Sequence, residues 1–182
     1  MKNKFGYVSF QCFTNEQVKE INKKIKENIL QKQDPSDASS TASKVGEFFN
    51  VPCPPLMDLL CPWLYNCQYA NREVFGLVID WDFHLDHCNY NIYGENGEYG
   101  WHIDANHKNE FDMKLTCLLN LSEEPYEGGE LCLINNGPFA EKIKFDSGMG
   151  IVFNSLIAHK VTPITQGERI TLTYWGTGPA WK

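Results

Sequence analysis

The sequence predicts an α+β chain that is mainly β: helices in its first part, then a sandwich or jelly roll of short strands. Three observations carry that reading. From Phe75 onward, short runs rich in β-branched, aromatic or leucine residues follow one another, namely FGLVIDW, NYNIY, MKLTCLLNL, GELCLI, EKIKF, GIVF and ITLTYW. Turn signals separate them at Glu95-Asn96-Gly97, Glu127-Gly128-Gly129, Asn135-Asn136-Gly137-Pro138, Ser147-Gly148 and Gln166-Gly167. No helical pattern comes between them, and strands at such spacing fold as sandwiches or rolls rather than as parallel sheets.

The elements before Phe75 read differently. Residues Phe5 to Phe13 alternate loosely and predict a first strand. Thr14 is a good N-cap, with Gln17 three residues on to complete a capping box and Phe13 and Val18 placed as a hydrophobic staple. Val18, Ile21, Ile25 and Ile29 then recur at helical spacing, so this helix has one dry face to lay against a sheet. KQDPSDASSTAS, Lys32 to Ser43, is polar and aperiodic, which predicts a mobile loop able to order over a substrate. A second helix is expected from Leu56 to Ala70, interrupted at Pro62. The division is therefore a helical flank, 1–74, and a jelly-roll core, 75–177, within one domain, 1–182.

Length and composition agree. At 182 residues with 42% hydrophobic and 13% aromatic content, the chain suits one domain with a buried core. A net charge of −7 argues against non-specific nucleic-acid binding, which needs basic surface. No apolar run reaches membrane-spanning length, and MKNKFGYVSFQCF lacks a signal-peptide core and cleavage site. The expectation is a cytoplasmic protein with neither membrane nor nucleic acid as partner. Its cysteines, 7 in all, show no C-x-x-C spacing and read as reduced, mostly buried thiols. Cys53, Cys61 and Cys67 stand closest together, but their irregular spacing and the lack of a nearby histidine argue against a metal site.

The chemistry concentrates in YGENGEYGWHID, Tyr93 to Asp104. Residues i and i+2 of a strand share a face, so His102-x-Asp104 predicts an imidazole and a carboxylate side by side. His159, in NSLIAHKVTP after the strand GIVF, supplies a third group from another strand. Two histidines and one carboxylate form a facial triad, which leaves positions open for O2 and a chelating co-substrate and suits non-haem Fe(II). Arg169, Thr171 and Thr173 share one face of the strand in GERITLTYW. An arginine at a hairpin start is commonly a surface charge. Facing into the roll it would instead demand an anion, and a dicarboxylate would satisfy it through a bidentate pair. Trp101 should point away from His102 into the core, and His84, His87 and His107 lie in polar, solvent-facing sequence.

Together, His102-x-Asp104, His159 and Arg169 resemble the signature of 2-oxoglutarate- and Fe(II)-dependent dioxygenases, most closely the prolyl and lysyl hydroxylase-like (PKHD-type, prolyl 4-hydroxylase-like) branch. YGENGEYGWHID is similar to the run before that branch's H-x-D, LTCLLNL with YEGGEL to its next two strands, and HKVTPITQGERITLTYW to its closing block. The resemblance covers Tyr93 to Trp175 and implies a double-stranded β-helix core with the N-terminal helices packed on one sheet. It implies His102, Asp104 and His159 as iron ligands, Arg169 as anchor of the distal carboxylate of 2-oxoglutarate, and Tyr93, Thr171 and Thr173 as helpers in that pocket. Leu118 departs from relatives that place a polar tyrosine there, and Asp104 argues against halogenation.

The implied activity is hydroxylation of a C–H bond, of a peptidyl prolyl or lysyl residue or of a free amino acid, using O2 and 2-oxoglutarate. Succinate and CO2 would be co-products and ascorbate a reductant. The rivals are another metalloenzyme on the same roll without 2-oxoglutarate, against which Arg169 speaks, and a non-enzymatic metal-binding jelly roll.

Overall fold

The computed structural model describes residues 2–4, 6–34, 42–81, 87–105, 111–135 and 137–181, and the chain is mainly β, 46% strand and 22% helix. Strands β1 (Lys2–Lys4) and β2 (Tyr7–Gln11) lead into helix α1 (Asn15–Lys26). Strands β3 (Gln31–Gln33), β4 (Lys44–Val45) and β5 (Glu47–Pro52) precede helix α2 (Met57–Ala70). Next come β6 (His87–Tyr93), β7 (Glu98–His102), β8 (Phe111–Asn120), β9 (Glu127–Gly128) and β10 (Leu131–Ile134). The series closes with β11 (Ala140–Ile143), β12 (Met149–Asn154), β13 (His159–Val161), β14 (Ile164–Gln166) and β15 (Arg169–Pro179).

The strands form a larger sheet, β1-β2-β12-β8-β15-β6-β5-β3, and a smaller one, β11-β10-β13-β7-β4, with β14 and β9 paired separately. Alternation along β15 shows how the larger sheet divides its faces. Ile170, Leu172 and Tyr174 join one buried cluster with Val18, Ile21 and Ile25 of α1 and Leu60, Trp63 and Leu64 of α2. Their neighbours Arg169, Thr171, Thr173 and Trp175 line a cavity that residues of the smaller sheet also line.

Helix α1 begins as its sequence predicts. Thr14 Oγ1 accepts from the Gln17 N–H at 3.4 Å, and Gln17 Oε1 accepts from the Thr14 N–H at 2.9 Å. The helix stops at Lys26, short of Ile29, which still packs against the core. Asn22 sits on the dry face with its polar atoms satisfied. Its amide donates to the Leu121 carbonyl at 2.8 Å, and its oxygen accepts from the Tyr90 hydroxyl at 3.0 Å.

Four expectations need correction. Pro62 lies inside α2 without interrupting it. A proline costs about 3 kcal/mol in a helix interior, whereas burying each of Leu60, Trp63 and Leu64, all nearly inaccessible, returns about 1.5–3 kcal/mol. The flank is also not purely helical, because β3 and β5 extend the larger sheet beyond β6 while β4 extends the smaller beyond β7. Lys32 and Gln33, expected in a mobile loop, therefore belong to an edge strand, where ladder pairing needs no apolar alternation. The rest of that predicted loop, 35–41, lies outside the described residues.

FGLVIDW is the third correction: it forms no strand beyond a single bridge, Asp80 to Thr177. A π-helical turn, Asn71–Phe75, continues α2 and closes on Gly76 at φ 61°, and the Asn71 side chain binds both the N–H and the carbonyl of Leu77. That capping consumes the start of the run.

Trp101 is the fourth. It is 40% exposed, not core, because the outer face of β7 carries no covering layer among the described residues. The Lys160 ammonium lies 5.0 Å from its ring. No disulfide joins the cysteines among the described residues, with Cys53, Cys67, Cys88, Cys117 and Cys132 buried and Cys61 exposed. No helix among the described residues is long and apolar enough to cross a membrane.

Candidate metal centre

His102 ends β7 and His159 begins β13, and the two stand directly opposite each other in the antiparallel ladder. Residues so paired project to one face, and the ring centroids are 4.1 Å apart. Asp104 reaches them by a different route from the one expected. The strand ends at His102, and Asp104 lies in a bend whose N–H donates to the Ser155 carbonyl at 3.0 Å. Its carboxylate is braced from β8, where the Thr116 hydroxyl donates to Oδ2 at 2.6 Å and itself lies 2.9 Å from Ser155 Oγ.

Each imidazole is oriented by the main chain. His102 Nδ1 lies 2.8 Å from the Gly100 carbonyl and His159 Nδ1 lies 3.0 Å from that of Ile157. A carbonyl accepts only, so Nδ1 is the donor in each pair and Nε2 is the atom left for a further partner. Those Nε2 atoms face Asp104, at 3.5 Å for His102 to Oδ1 and 3.6 Å for His159 to Oδ2. The ligand atoms of the three side chains lie within 4.8 Å of one another. Tyr99 stacks on His102 at 3.6 Å and Phe153 meets His159 edge-on at 4.9 Å, which fixes both rings.

The electrostatics prepare the same chemistry. Burial pushes the Asp104 carboxyl up, but the neighbouring His159, His102 and the Thr116 hydroxyl outweigh it and hold the group well below the usual carboxylate range. Burial pushes His159 down, with Asp104 opposing and His102 adding to the shift. An ionised carboxylate beside neutral imidazoles is the state in which a divalent cation binds. The donor set and its protonation thus fit a metal such as Fe(II), with coordination positions left toward the cavity.

A cavity of about 450 Å³ opens beside the triad. Arg169 and Tyr93 are cross-strand partners in it. Arg169 is 1% exposed, its Nε has no hydrogen-bond partner among the described residues, and its guanidinium carbon lies 5.5 Å from the Tyr93 ring and 5.6 Å from that of Phe145. A buried guanidinium left incomplete is costly unless an anion completes it. Thr171 and Thr173 face the same space, where Asn91 Nδ2 donates to Thr173 Oγ1 at 3.0 Å and reaches Thr171 Oγ1 at 3.5 Å. Burial pushes the Tyr93 hydroxyl up, against the pull of Arg169.

The residues singled out from the sequence, His102, Asp104, His159, Tyr93, Arg169, Thr171 and Thr173, therefore line one cavity, and Leu118 joins them. His87 is exposed at the start of β6; His84 and His107 lie outside the described residues. Sequence reasoning missed Thr116 and Ser155, although a threonine within the apolar run MKLTCLLNL was a usable signal. It also missed Lys44 and the amides Gln33, Asn50, Asn89 and Asn91 in the cavity wall. Lys44 Nζ lies 3.8 Å from the Phe48 ring centroid and 5.2 Å from that of Tyr99. Burial pushes its ammonium down, with Asp104 opposing.

Comparison with known proteins covers the stretch of chain that carries most of these residues. Positions 88–177 match the profile of the 2OG-Fe(II) oxygenase superfamily. A PKHD-type hydroxylase of Alteromonas mediterranea is 47% identical over 64 residues, 35% of this chain and 27% of its own. Another, from Acinetobacter baumannii, is 34% identical over 120 residues, 65% of this chain and 44% of its own. The chain thus spans less than half the length of these curated relatives. Among solved structures, a prolyl hydroxylase of Trichoplax adhaerens, in complex with a peptide fragment of the hypoxia inducible factor oxygen degradation domain, matches with TM-score 0.74 and 18% identity over 96% of this chain and 84% of that one. A Pseudomonas putida prolyl-4-hydroxylase matches with TM-score 0.70 and 17% identity over 98% and 95%. At these identities the likeness speaks for the fold.

Proposed function

We propose, from the premise that this chain belongs to the 2OG-Fe(II) oxygenase superfamily through residues 88–177, that it hydroxylates a C–H bond at the expense of O2 and 2-oxoglutarate. Succinate and CO2 leave as co-products, and the preferred substrate is a peptidyl prolyl or lysyl residue. One observation carries the reading: a His-Asp-His set and a buried guanidinium without an anionic partner among the described residues open onto the same cavity. The PKHD-type names of the relatives and the peptide in the Trichoplax structure favour a peptidyl substrate. The architecture that goes with this reading is a double-stranded β-helix with both helices backing the larger sheet, in a cytoplasmic protein.

In this mechanism, His102 and His159 would hold Fe(II) through their imidazoles and Asp104 through its carboxylate. Bound iron supplies the redox chemistry that O2 requires. Thr116 and Ser155 keep the Asp104 carboxylate from turning away, as partners behind a metal ligand commonly do. Arg169 takes the distal carboxylate of 2-oxoglutarate in a bidentate pair, which completes its own unsatisfied N–H. Tyr93, Thr171 and Thr173 offer hydroxyls to the same end of the co-substrate. Leu118, Leu131 and Val161 keep the wall between anchor and metal dry, which strengthens each charge interaction inside.

The test is succinate release. With Fe(II), ascorbate and O2, the protein should convert 2-oxoglutarate to succinate even without a second substrate, and Asp104→Ala should abolish the conversion. Proline-rich peptides, lysine peptides and free amino acids then rank by how far they stimulate it. No succinate under any of these conditions would defeat the enzymatic reading.

A further inference from the structure

We infer that Lys44 is a specificity-determining residue, which holds a carboxylate of the substrate in the cavity that Arg169 also lines; this rests on the oxygenase reading above. Lys44 comes from β4, the edge of the smaller sheet, whereas Arg169 comes from β15 in the larger one. The two cations are thus brought to one cavity by different sheets. Lys44 does not reach out to solvent as most lysines do. Its ammonium is drawn inward over Phe48 and Tyr99, and Tyr99 in turn stacks on the ligand His102.

Among the described residues no carboxylate pairs with Lys44, and the charge it senses across the cavity is Asp104. Asp104 is also the group that a divalent metal would claim. Asp34, the other carboxylate in the lining, is exposed and has a contact of its own. The larger sheet adds uncharged amides to the lining: Gln33 Nε2 donates to Asn50 Oδ1 at 2.6 Å, and Asn89 Nδ2 donates to Gln33 Oε1 at 3.3 Å. These groups can hydrogen-bond a polar substrate but cannot neutralise a cation.

Among the described residues, and setting aside the exposed Asp34, a divalent ion held by neutral histidines, Asp104, Arg169, Lys44 and a doubly negative 2-oxoglutarate leave one positive charge over. An ammonium held on aromatic faces beside that surplus favours an occupant carrying one negative charge. A carboxylate fits, whether it is the α-carboxylate of a free amino acid or an acidic side chain next to the modified residue in a peptide.

The experiment is a calorimetric titration of the full chain loaded with Mn(II) and 2-oxoglutarate, using probes matched in all but charge. One arm compares each free L-amino acid with its amide. The other compares proline and lysine peptides carrying aspartate or asparagine beside the target residue. In at least one arm the carboxylate member should bind about tenfold more tightly or better, as a charged hydrogen bond commonly gives. The arm that shows it identifies the source. The preference should shrink to about twofold or less in Lys44→Met and persist in Lys44→Arg. Should Lys44→Met fail to fold, Lys44→Gln takes its place with the same expectation. No preference in either arm, or one that survives loss of the ammonium, overturns the proposal. A protein that takes up neither Mn(II) nor 2-oxoglutarate sinks the oxygenase reading as well, which separates the two failures.

Discussion

A buried side chain states its needs through what it lacks, and among the described residues Arg169 has no anionic partner. Arg169→Ala should weaken 2-oxoglutarate binding by about 2–5 kcal/mol, the usual loss when one member of a buried charge pair is truncated. Metal occupancy should stay unchanged, since Arg169 touches no ligand. Titrating 2-oxoglutarate into the Mn(II) form of both proteins checks this, and equal affinities would remove the anchor role. The ligands make a second prediction, in pH. His159 is held below its ordinary value of 6.5, so as pH falls through 6.5 the unfolded chain takes up the proton first and stability declines. Asp104 is held below 3.8, so its contribution is present above that pH and is lost as pH falls further. The melting temperature of the metal-free protein should therefore drop in two steps, and His159→Gln should remove the upper one. A profile flat between pH 7 and 5 would contradict the assignment. Of these residues, the metal and anchor positions were legible because each is a charged or imidazole group set in a strand-like run. The bend at Asp104 was not, since Ser155 and Thr116, which stabilise it, lie distant in sequence.

Among the elements, α1 is the one most fully written in its own sequence. Thr14, Gln17 and the Val18-Ile21-Ile25 spacing specify its start and its buried face within a dozen neighbouring residues. Thr14→Ala should cost about 1 kcal/mol, the usual value of an N-cap. A shift in the urea midpoint without a change in slope would show it, whereas an unchanged midpoint would mean that the capping box contributes nothing. Strands β3, β4 and β5 are the opposite case. Strand β3 pairs with β5, whereas β5 and β4 join their sheets through β6 and β7, more than thirty positions later even at the closest rung, Pro52 to His87. No local pattern announces that, which is why Lys44 and the amide wall went unread while GERITLTYW, with its strict alternation, was read correctly. Pro62 shows the same limit: its local penalty was plain, but the burial that outweighs it belongs to the assembled core.

For the molecule as a whole, His102 and His159 sit at strand termini of the smaller sheet, and Arg169 sits on the larger sheet. A metal and a co-substrate bound between them would tie the two sheets together. Mn(II) with 2-oxoglutarate should thus raise the melting temperature beyond Mn(II) alone, since each hundredfold excess of ligand over its Kd adds about 2.7 kcal/mol. Arg169→Ala should erase the second increment and leave the first. The same two-sided sheet has a bearing on descent. Ile170, Leu172 and Tyr174 answer to the folded state, while Arg169, Thr171 and Thr173, interleaved with them, answer to the reaction. A lineage can therefore revise one row letter by letter and leave the other intact. Shape can therefore outlast sequence, and here neighbours at 17–18% identity share the fold.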